Sequence, residues 1–570
     1  MINRTTAILV LCALFFIAPG LTRASAPLFE KGGLTLKKMS EAIDMAENRG
    51  KFRLRLNYEQ GSLQAKQFDA GTGSRMVSDI SGLKMKKGSY KVSELKEDVS
   101  AWKIGDLSGD LSRAPKKYVP WESSRHFALA VGEGAMFNVF IPWALARWGR
   151  DWENSTEERW PFIGFQSIWS NLQEGWNYDG DNFLTNLFSH PYGGNLFFNS
   201  GRSNGYNFWE SSAFALAGSY IWETFMETNQ PAINDWVNTG MNGAAFGEVL
   251  YRLSSLVTDN TARGSHRVWT EIAGGIINPV RLFTRLVTGE ASRVFDNPSW
   301  RKPEMLNISL NAGTRVLFEE DKVHNPDSKE LQGIFELVIN YGNPHKLEHA
   351  TPFSHFYYNV AIASSYPSLT SMNVIGSLFA FELSDNEKTK HSLEATLNYN
   401  YINNPGFLYG NASVMENLNS YFKMKGDDAI RTRLGIKLIP MGGTPNDYFY
   451  DSVDGRTYDF GQGLGWLGSL SYYDGNWEIF NINYGMDFIW TQSQPSFSKH
   501  LLHAGSLTLQ LPLRDYMVVG VGAGFYKRKS YYFYPEGYYG YNVPGMPETN
   551  APDVSYETPI LRVFFKTRIL

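Results

Sequence analysis

Residues 306–312 read Leu306-Asn307-Ile308-Ser309-Leu310-Asn311-Ala312, apolar at every second position and polar between. Successive side chains of a strand point to opposite faces, so this spacing gives one greasy face and one wet face. The texture returns from Leu393 to Tyr401, where Leu393, Ala395, Leu397, Tyr399 and Tyr401 alternate with Glu394, Thr396, Asn398 and Asn400. It returns again in Phe480 to Phe488, in Ser506 to Leu513 and in the final Leu561 to Ile569. Each segment is about ten residues, the length a tilted strand needs to cross a hydrocarbon layer. Turn formers such as Ser384-Asp385-Asn386, Asp474-Gly475-Asn476 and Arg514-Asp515 alternate with longer Gly, Pro and Tyr-rich stretches. Short turns, long loops and aromatic clusters such as Tyr531-Tyr532-Phe533-Tyr534, read as an interfacial girdle, describe a transmembrane meander. A soluble sandwich also alternates, but it has no reason to stretch its strands to membrane length. The fold class is therefore mixed: a C-terminal antiparallel transmembrane β-barrel of about twelve strands over residues 301–570, preceded by an α-helical module.

The other end of the chain carries Asn3-Arg4, an apolar run from Ala7 to Ile17, and small residues at Ala24-Ser25-Ala26. That order predicts a cleaved secretory signal peptide over 1–26 and hence export to the cell outer membrane. The net charge is −4, and the loss of Arg4 and Arg23 would make the remainder more acidic, which excludes a nucleic-acid partner. The single cysteine, Cys12, lies in the apolar run, so the exported part has no disulfide and no thiol ligand. Beyond the signal peptide no stretch approaches ~18 uninterrupted apolar residues. Residues 27–120 are polar and Lys/Glu-rich and read as a periplasmic segment of modest order, with a helical patch at Leu36 to Ala46 and a strand at Phe52 to Tyr58.

Between 121 and 300 the period becomes helical. Helices are expected over Ser124 to Ala146 with a break at Pro142, Ser211 to Thr228, Pro231 to Val257, and His266 to Thr288 with a break at Pro279. Gly240, Gly243, Ala244 and Gly247 form a small-residue stripe that should receive the preceding helix through Ala213, Ala217 and Gly218. Asn234, Asn238 and Asn242 form an amide ladder suited to a polar interior. His190-Pro191 with Gly193-Gly194 reads as a hinge, and Ser211 as a helix cap. Glu223 and Glu227 lie one turn apart and need a basic neighbour, Arg202, Arg252 or a metal ion. His190, Glu223 and Asp235 form the candidate catalytic set, as general base or as an imidazole-and-oxygen group, although a salt-bridge network is the simpler use of such residues. Asp179-Gly180-Asp181-Asn182 opens like a calcium loop but has His190 where the bidentate Glu belongs, so it reads as a turn. No HExxH or P-loop pattern occurs, so no metal site or cofactor is specified.

These residues carry a resemblance. Asn171 to about Ser292 resembles the bacterial envelope family catalogued as domain of unknown function 3943, through Asp181, Asn186, His190, Pro191, Gly193, Arg202, Ser203, Asn204, Trp209, Ser211, Trp222, Glu223, Asn234, Asp235, Gly247, Glu248 and Arg252. The resemblance implies an outer-membrane or periplasmic location and no particular activity.

On the inward faces of the expected strands lie Arg431, Arg433, Lys437, Arg562, Lys566 and Arg568, against Glu336, Glu394 and Asp487. A partly basic lumen favours an anionic small solute, although such charges also pair across strands. The leading expectation is a channel or transport barrel plugged or capped by its helical module. A lipid-modifying enzyme centred on His190, Glu223 and Asp235, or a structural envelope protein, are the alternatives. Expected partners are outer-membrane lipids, lipopolysaccharide and the barrel-assembly machinery.

Overall fold

The computed structural model describes residues 118–150, 159–318, 329–344, 351–448, 456–493, 497–533 and 552–569. The expected signal peptide and nearly all of the polar segment, including the helical patch and strand expected there, lie outside these residues.

Twelve strands form one closed sheet: β1 (Leu306–Phe318), β2 (Lys329–Tyr341), β3 (Phe356–Ala363), β4 (Leu369–Asp385), β5 (Thr389–Asn404), β6 (Phe407–Lys423), β7 (Ala429–Pro445), β8 (Tyr458–Asp474), β9 (Trp477–Thr491), β10 (Phe497–Arg514), β11 (Met517–Phe533) and β12 (Val554–Arg568). Each pairs antiparallel with the next, and β1 closes on β12 with Gly313 opposite Phe564. Closure leaves no unpaired edge, the condition for a sheet to stand in lipid. The alternation decides the faces. Asn311, Glu336, Asn373, Asn400, Lys437, Asp487 and Arg562 line a central cavity of about 370 Å³. Their sequence neighbours point away from it, and Leu434, Ile436, Leu438, Leu507, Leu509, Leu511, Val563 and Phe565 are exposed on the outer surface. An even-stranded antiparallel barrel with a polar inside and an apolar outside is the outer-membrane architecture. Tyr531 to Phe533 alternate as well: Tyr532 points inward and is 3% exposed, so of the expected girdle only Tyr531 and the exposed Phe533 are on the outer face among the described residues.

The helical module consists of α1 (Phe127–Gly149), α2 (Phe165–Glu174), α3 (His190–Ser203), α4 (Phe208–Ile221), α5 (Ile233–Val237), α6 (Gly243–Val257), α7 (Gly264–Ile277) and α8 (Pro279–Val287). A π-helical turn at Thr185–Ser189 leads into α3, another at Trp222–Met226 lengthens α4, and a third at Asn238–Asn242 joins α5 to α6. The hinge expected at His190 to Gly194 is instead the first turn of α3, with Pro191 where a helix tolerates proline. The glycines of α3 let three neighbours approach: Gly193 meets Asn138 of α1, Gly201 meets Ser211 of α4, and Gly194 meets the start of α6. A Cβ on Gly194 would lie 1.9 Å from the Thr239 carbonyl oxygen, and one on Gly243 would lie 2.5 Å from Gly194 Cα. The small-residue stripe is thus shared: Gly243 and Gly247 receive α3, and only Gly240 meets Leu216 of the preceding helix α4. Asn207, not Ser211, caps α4, in a reciprocal box with Glu210. Ser211 is buried against Gly201 of α3.

The module does not enter the lumen. Tyr399, on the outer face of β5 between inward Asn398 and Asn400, donates its hydroxyl to the Leu187 carbonyl. Leu187 sits over Gly410 of β6, Phe183 packs 5.4 Å from Tyr401, and Phe246 lies 6.4 Å from Tyr358 of β3. Tyr358, Met372, Val374, Tyr399, Tyr401, Tyr458 and Phe460, outward on β3, β4, β5 and β8, are all fully buried. The helices therefore cover part of the outer wall, where two apolar faces bury each other, and the expectation of a plug or cap is corrected on this point.

The far side of the module is apolar too. Phe127, Val131, Phe140, Leu145 and Trp148 of α1, Phe165 and Trp169 of α2, and Val268, Trp269 and Ile272 of α7 are exposed. Although the sequence has no long uninterrupted apolar run, α1 at 23 residues is long and apolar enough to cross a membrane. Polar groups are instead turned inward. Asn199 and Asn278 are buried, Asn278 Nδ2 donating to Asn199 Oδ1 at 2.7 Å and Asn199 Nδ2 to the Gly247 carbonyl at 3.1 Å. The ladder is present as Asn242 Nδ2 to Asn238 Oδ1 at 3.3 Å.

Candidate functional site

Two polar centres result, one in the module and one in the lumen. At the end of the module near the loops, Asn182 Oδ1 accepts the Thr185 N–H at 3.1 Å and so starts the turn that leads into α3. This places Asp179 beside His190. Asp179 Oδ1 accepts from Asn186 Nδ2 at 2.7 Å and from Asn234 Nδ2 at 2.9 Å, and the same Asn234 amide donates to Asp235 Oδ1 at 2.8 Å. His190 Nε2 lies 3.5 Å from Asp235 Oδ1. An imidazole set against a buried carboxylate is the arrangement of an oriented base or of a metal-ligand pair. Glu223 accepts the Ala232 N–H at 3.0 Å and is hydrogen-bonded to Glu227. Both glutamates act electrostatically on Asp235. Sequence spacing missed Asp179, whose membership depends on Asn186 and Asn234 folding back to it.

The expected basic neighbours of Glu223 are elsewhere. Arg202 grips Glu248 through two hydrogen bonds of 2.7 and 3.1 Å, and Arg252 donates to the same carboxylate at 2.9 Å and to the Pro352 carbonyl at 2.9 Å. Other motif residues are joints of the module. Asn204 links Glu133 (2.7 Å) to Trp121 (2.9 Å), the Gly193 carbonyl accepts from Asn138, and the Asp181 carbonyl accepts from Tyr458 at 2.9 Å. Trp209 stacks on Phe379 of β4, Trp222 lies 5.5 Å from Trp160, Gly247 lies under Phe198, and Ser203 is buried.

In the lumen, Lys437 and Asp487 form a salt bridge of 2.5 Å, and Tyr409 donates to Asp487 at 2.9 Å. Glu394 lies 2.5 Å from His355 Nε2 and also accepts from Asn419 at 2.8 Å. Glu336 accepts from the amides of Asn311 (2.8 Å) and Asn359 (2.9 Å). The remaining cations are held by neutral groups: Arg315 by Gln332 (2.7 Å) and Thr370, Arg433 by Asn419 (3.1 Å), and Arg562 by Thr508 (2.9 Å). Arg431 lies 4.2 Å over the Tyr473 ring, and Arg568 4.2 Å over Trp477. Among the described residues, none of Arg315, Arg431, Arg433, Arg562, Lys566 and Arg568 is within salt-bridge distance of a carboxylate. Arg315 was not singled out in the sequence, although it alternates in register with Asn311.

Toward the loop rim the lumen narrows to an apolar contact. Phe407 of β6 stacks on Tyr526 of β11, centroids 4.5 Å apart and planes 7° from parallel, with Ile439, Ile489 and Leu502 around them. Thr558 of β12 donates to the Gly406 carbonyl at 3.0 Å, tying the β5–β6 turn across the barrel. Asp447, in the loop after β7, grips Arg528 through bonds of 2.7 and 2.8 Å and accepts from Tyr532. Burial works to raise the Asp447 carboxyl, but Arg528 and Tyr532 hold it below its ordinary value.

Among solved structures, the chain is similar to an anion-selective porin from Comamonas acidovorans, at 8% identity over 46% of this chain and 99% of that one with a TM-score of 0.19. It is similar also to the outer membrane channel DcaP of Acinetobacter baumannii, at 6% identity over 46% and 96% with a TM-score of 0.22. No curated protein matches. Residues 175–280, from the approach to α3 through the start of α8, match the family model described as Domain of unknown function (DUF3943).

Proposed function

We propose that this outer-membrane barrel is a gated channel for small anionic solutes, held shut by its own inward side chains, with the helical module as a lipid-facing layer on its wall. The observation that carries the reading is the set of six inward cations without a carboxylate partner among the described residues, two of which, Arg315 and Arg562, line the cavity that Phe407 and Tyr526 also line. Fixed cations in a confined, low-dielectric passage lower the energy of an anion there and raise that of a cation. The lipids that such a barrel requires meet both its bare strands and the exposed faces of α1 and α7.

The test is conductance in planar bilayers of the full chain and of the double variant Phe407→Ala, Tyr526→Ala. The wild type conducts little, and the variant gives frequent, larger steps. Equal conductance from two folded proteins would dismiss the apolar contact as the closure.

A further inference from the structure

The donor atoms of Asp179, His190 and Asp235 come from three separate pieces of chain: the approach to α3, its first residue, and α5. All three lie within 4.8 Å of one another. Donors held about 2.1 Å from one ion stand about 3–4 Å apart, so the 3.5 Å between His190 Nε2 and Asp235 Oδ1 already has the required spacing. Asp235 is 3% exposed, and the charged groups acting on it are Asp179, Glu223, Asp181 and Glu227, all carboxylates. Arg202 and Arg252 are engaged by Glu248, and Arg456 donates to the main-chain carbonyl of Asp179. Buried carboxylates gathered in this way either hold protons, as the Glu223–Glu227 hydrogen bond requires of that pair, or share a cation. A second observation points the same way. Asn186 Oδ1 is fully buried without a hydrogen-bond partner, on the amide whose Nδ2 holds Asp179. Buried carbonyl oxygens are normally satisfied, and this one, on the side chain whose amide nitrogen holds Asp179, is a neutral oxygen without a partner that a cation could use.

We propose that Asp179, His190 and Asp235 bind one divalent transition-metal ion of the Zn²⁺ or Mn²⁺ class, with Asn186 Oδ1 as a further oxygen ligand and Glu223 and Glu227 balancing its charge from behind. One imidazole among carboxylates favours these ions, whereas an all-oxygen set would favour Ca²⁺ or Mg²⁺. The ion ties the approach to α3, the start of α3 and α5 together at the loop end of the module.

The full chain, folded in detergent micelles and stripped with a chelator, is titrated with ZnCl₂ against a chromophoric chelator and with MnCl₂ by electron paramagnetic resonance. One ion per chain is expected, with affinity at least tenfold weaker in Asp235→Asn and in His190→Gln and unchanged in the lumen variant Glu336→Gln. Heat-modifiable migration of the barrel verifies folding in each. A wild type that takes up less than one ion overturns the proposal whatever the variants do, and so does equal affinity in folded Asp235→Asn. A full site selective for Ca²⁺ over both transition ions overturns the assignment of the metal class.

Discussion

Arg285 shows what a single residue does in this module. Its side chain is 3% exposed and lies 2.8 Å from Glu271, 3.2 Å from Glu290 and 2.7 Å from Asn260. Replacing it with Met takes a cation from two buried carboxylates and leaves Glu271 with Arg267 and Glu290 with the Trp121 N–H, so Arg285→Met should lower stability by about 3 kcal/mol in denaturant unfolding from micelles. Arg125→Ala removes an ion pair to Glu210 that is largely exposed, and the same measurement should register less than about 1 kcal/mol. Gly194→Val drives a side chain into the Thr239 carbonyl and should prevent α3 from packing against α6, read as loss of the module's protease resistance. At this scale the residue types were legible but the partners were not. Arg202 and Glu248 could be singled out from the sequence, yet their pairing joins α3 to α6 across 46 positions. Asp179 joined the acidic centre only through amides 7 and 55 positions away.

Among elements, the strands were the most legible because period-two alternation survives whatever covers the outer face. Leu306 to Ala312 and Leu393 to Tyr401 lie within β1 and β5 with their apolar residues outward. The alternation is silent on what covers that face, since lipid and an apolar helix ask for the same residues. Tyr399 and Tyr401 are fully buried under the module while Leu434 and Ile436 are bare. Helix α3 was missed because Pro191, Gly193, Gly194 and Gly201 are breakers by local propensity, and packing against α6 overrides propensity. The placement is open to a direct check, because Cys12 is the only cysteine and single labelling sites are easily engineered. Spin labels at Leu145 and Ile272 should collide with dissolved oxygen and be shielded from a water-soluble nickel relaxant, whereas a label at lumen-lining Ser506 should do the reverse. Nickel access at Leu145 would contradict a lipid-facing module. The loop lock makes a separate prediction. Since Arg528 depresses the Asp447 carboxyl, the pair is formed at neutral pH and is lost only as pH falls below the ordinary carboxylate range. Wild-type conductance should therefore rise only in strong acid, and Asp447→Asn should show the raised level at pH 7.

The described residues form a barrel with a polar interior holding cations outside salt-bridge distance of any described carboxylate, wearing on one side a helical layer that is polar within and apolar without. Strand number and membrane class were readable from pattern and length, while the contact proposed to close the lumen was not. It depends on Phe407 and Tyr526, 119 positions apart in sequence and stacked only once the barrel has closed. The proposed activity turns on the sign of the lumen charge. Its most direct test is the reversal potential of the Phe407→Ala, Tyr526→Ala variant under a tenfold KCl gradient, alone and with Arg433, Arg562 and Lys566 replaced by Gln. Anion selectivity in the first, falling toward zero in the second, is the predicted result. Cation selectivity in the first, or a potential indifferent to the three replacements, would contradict it.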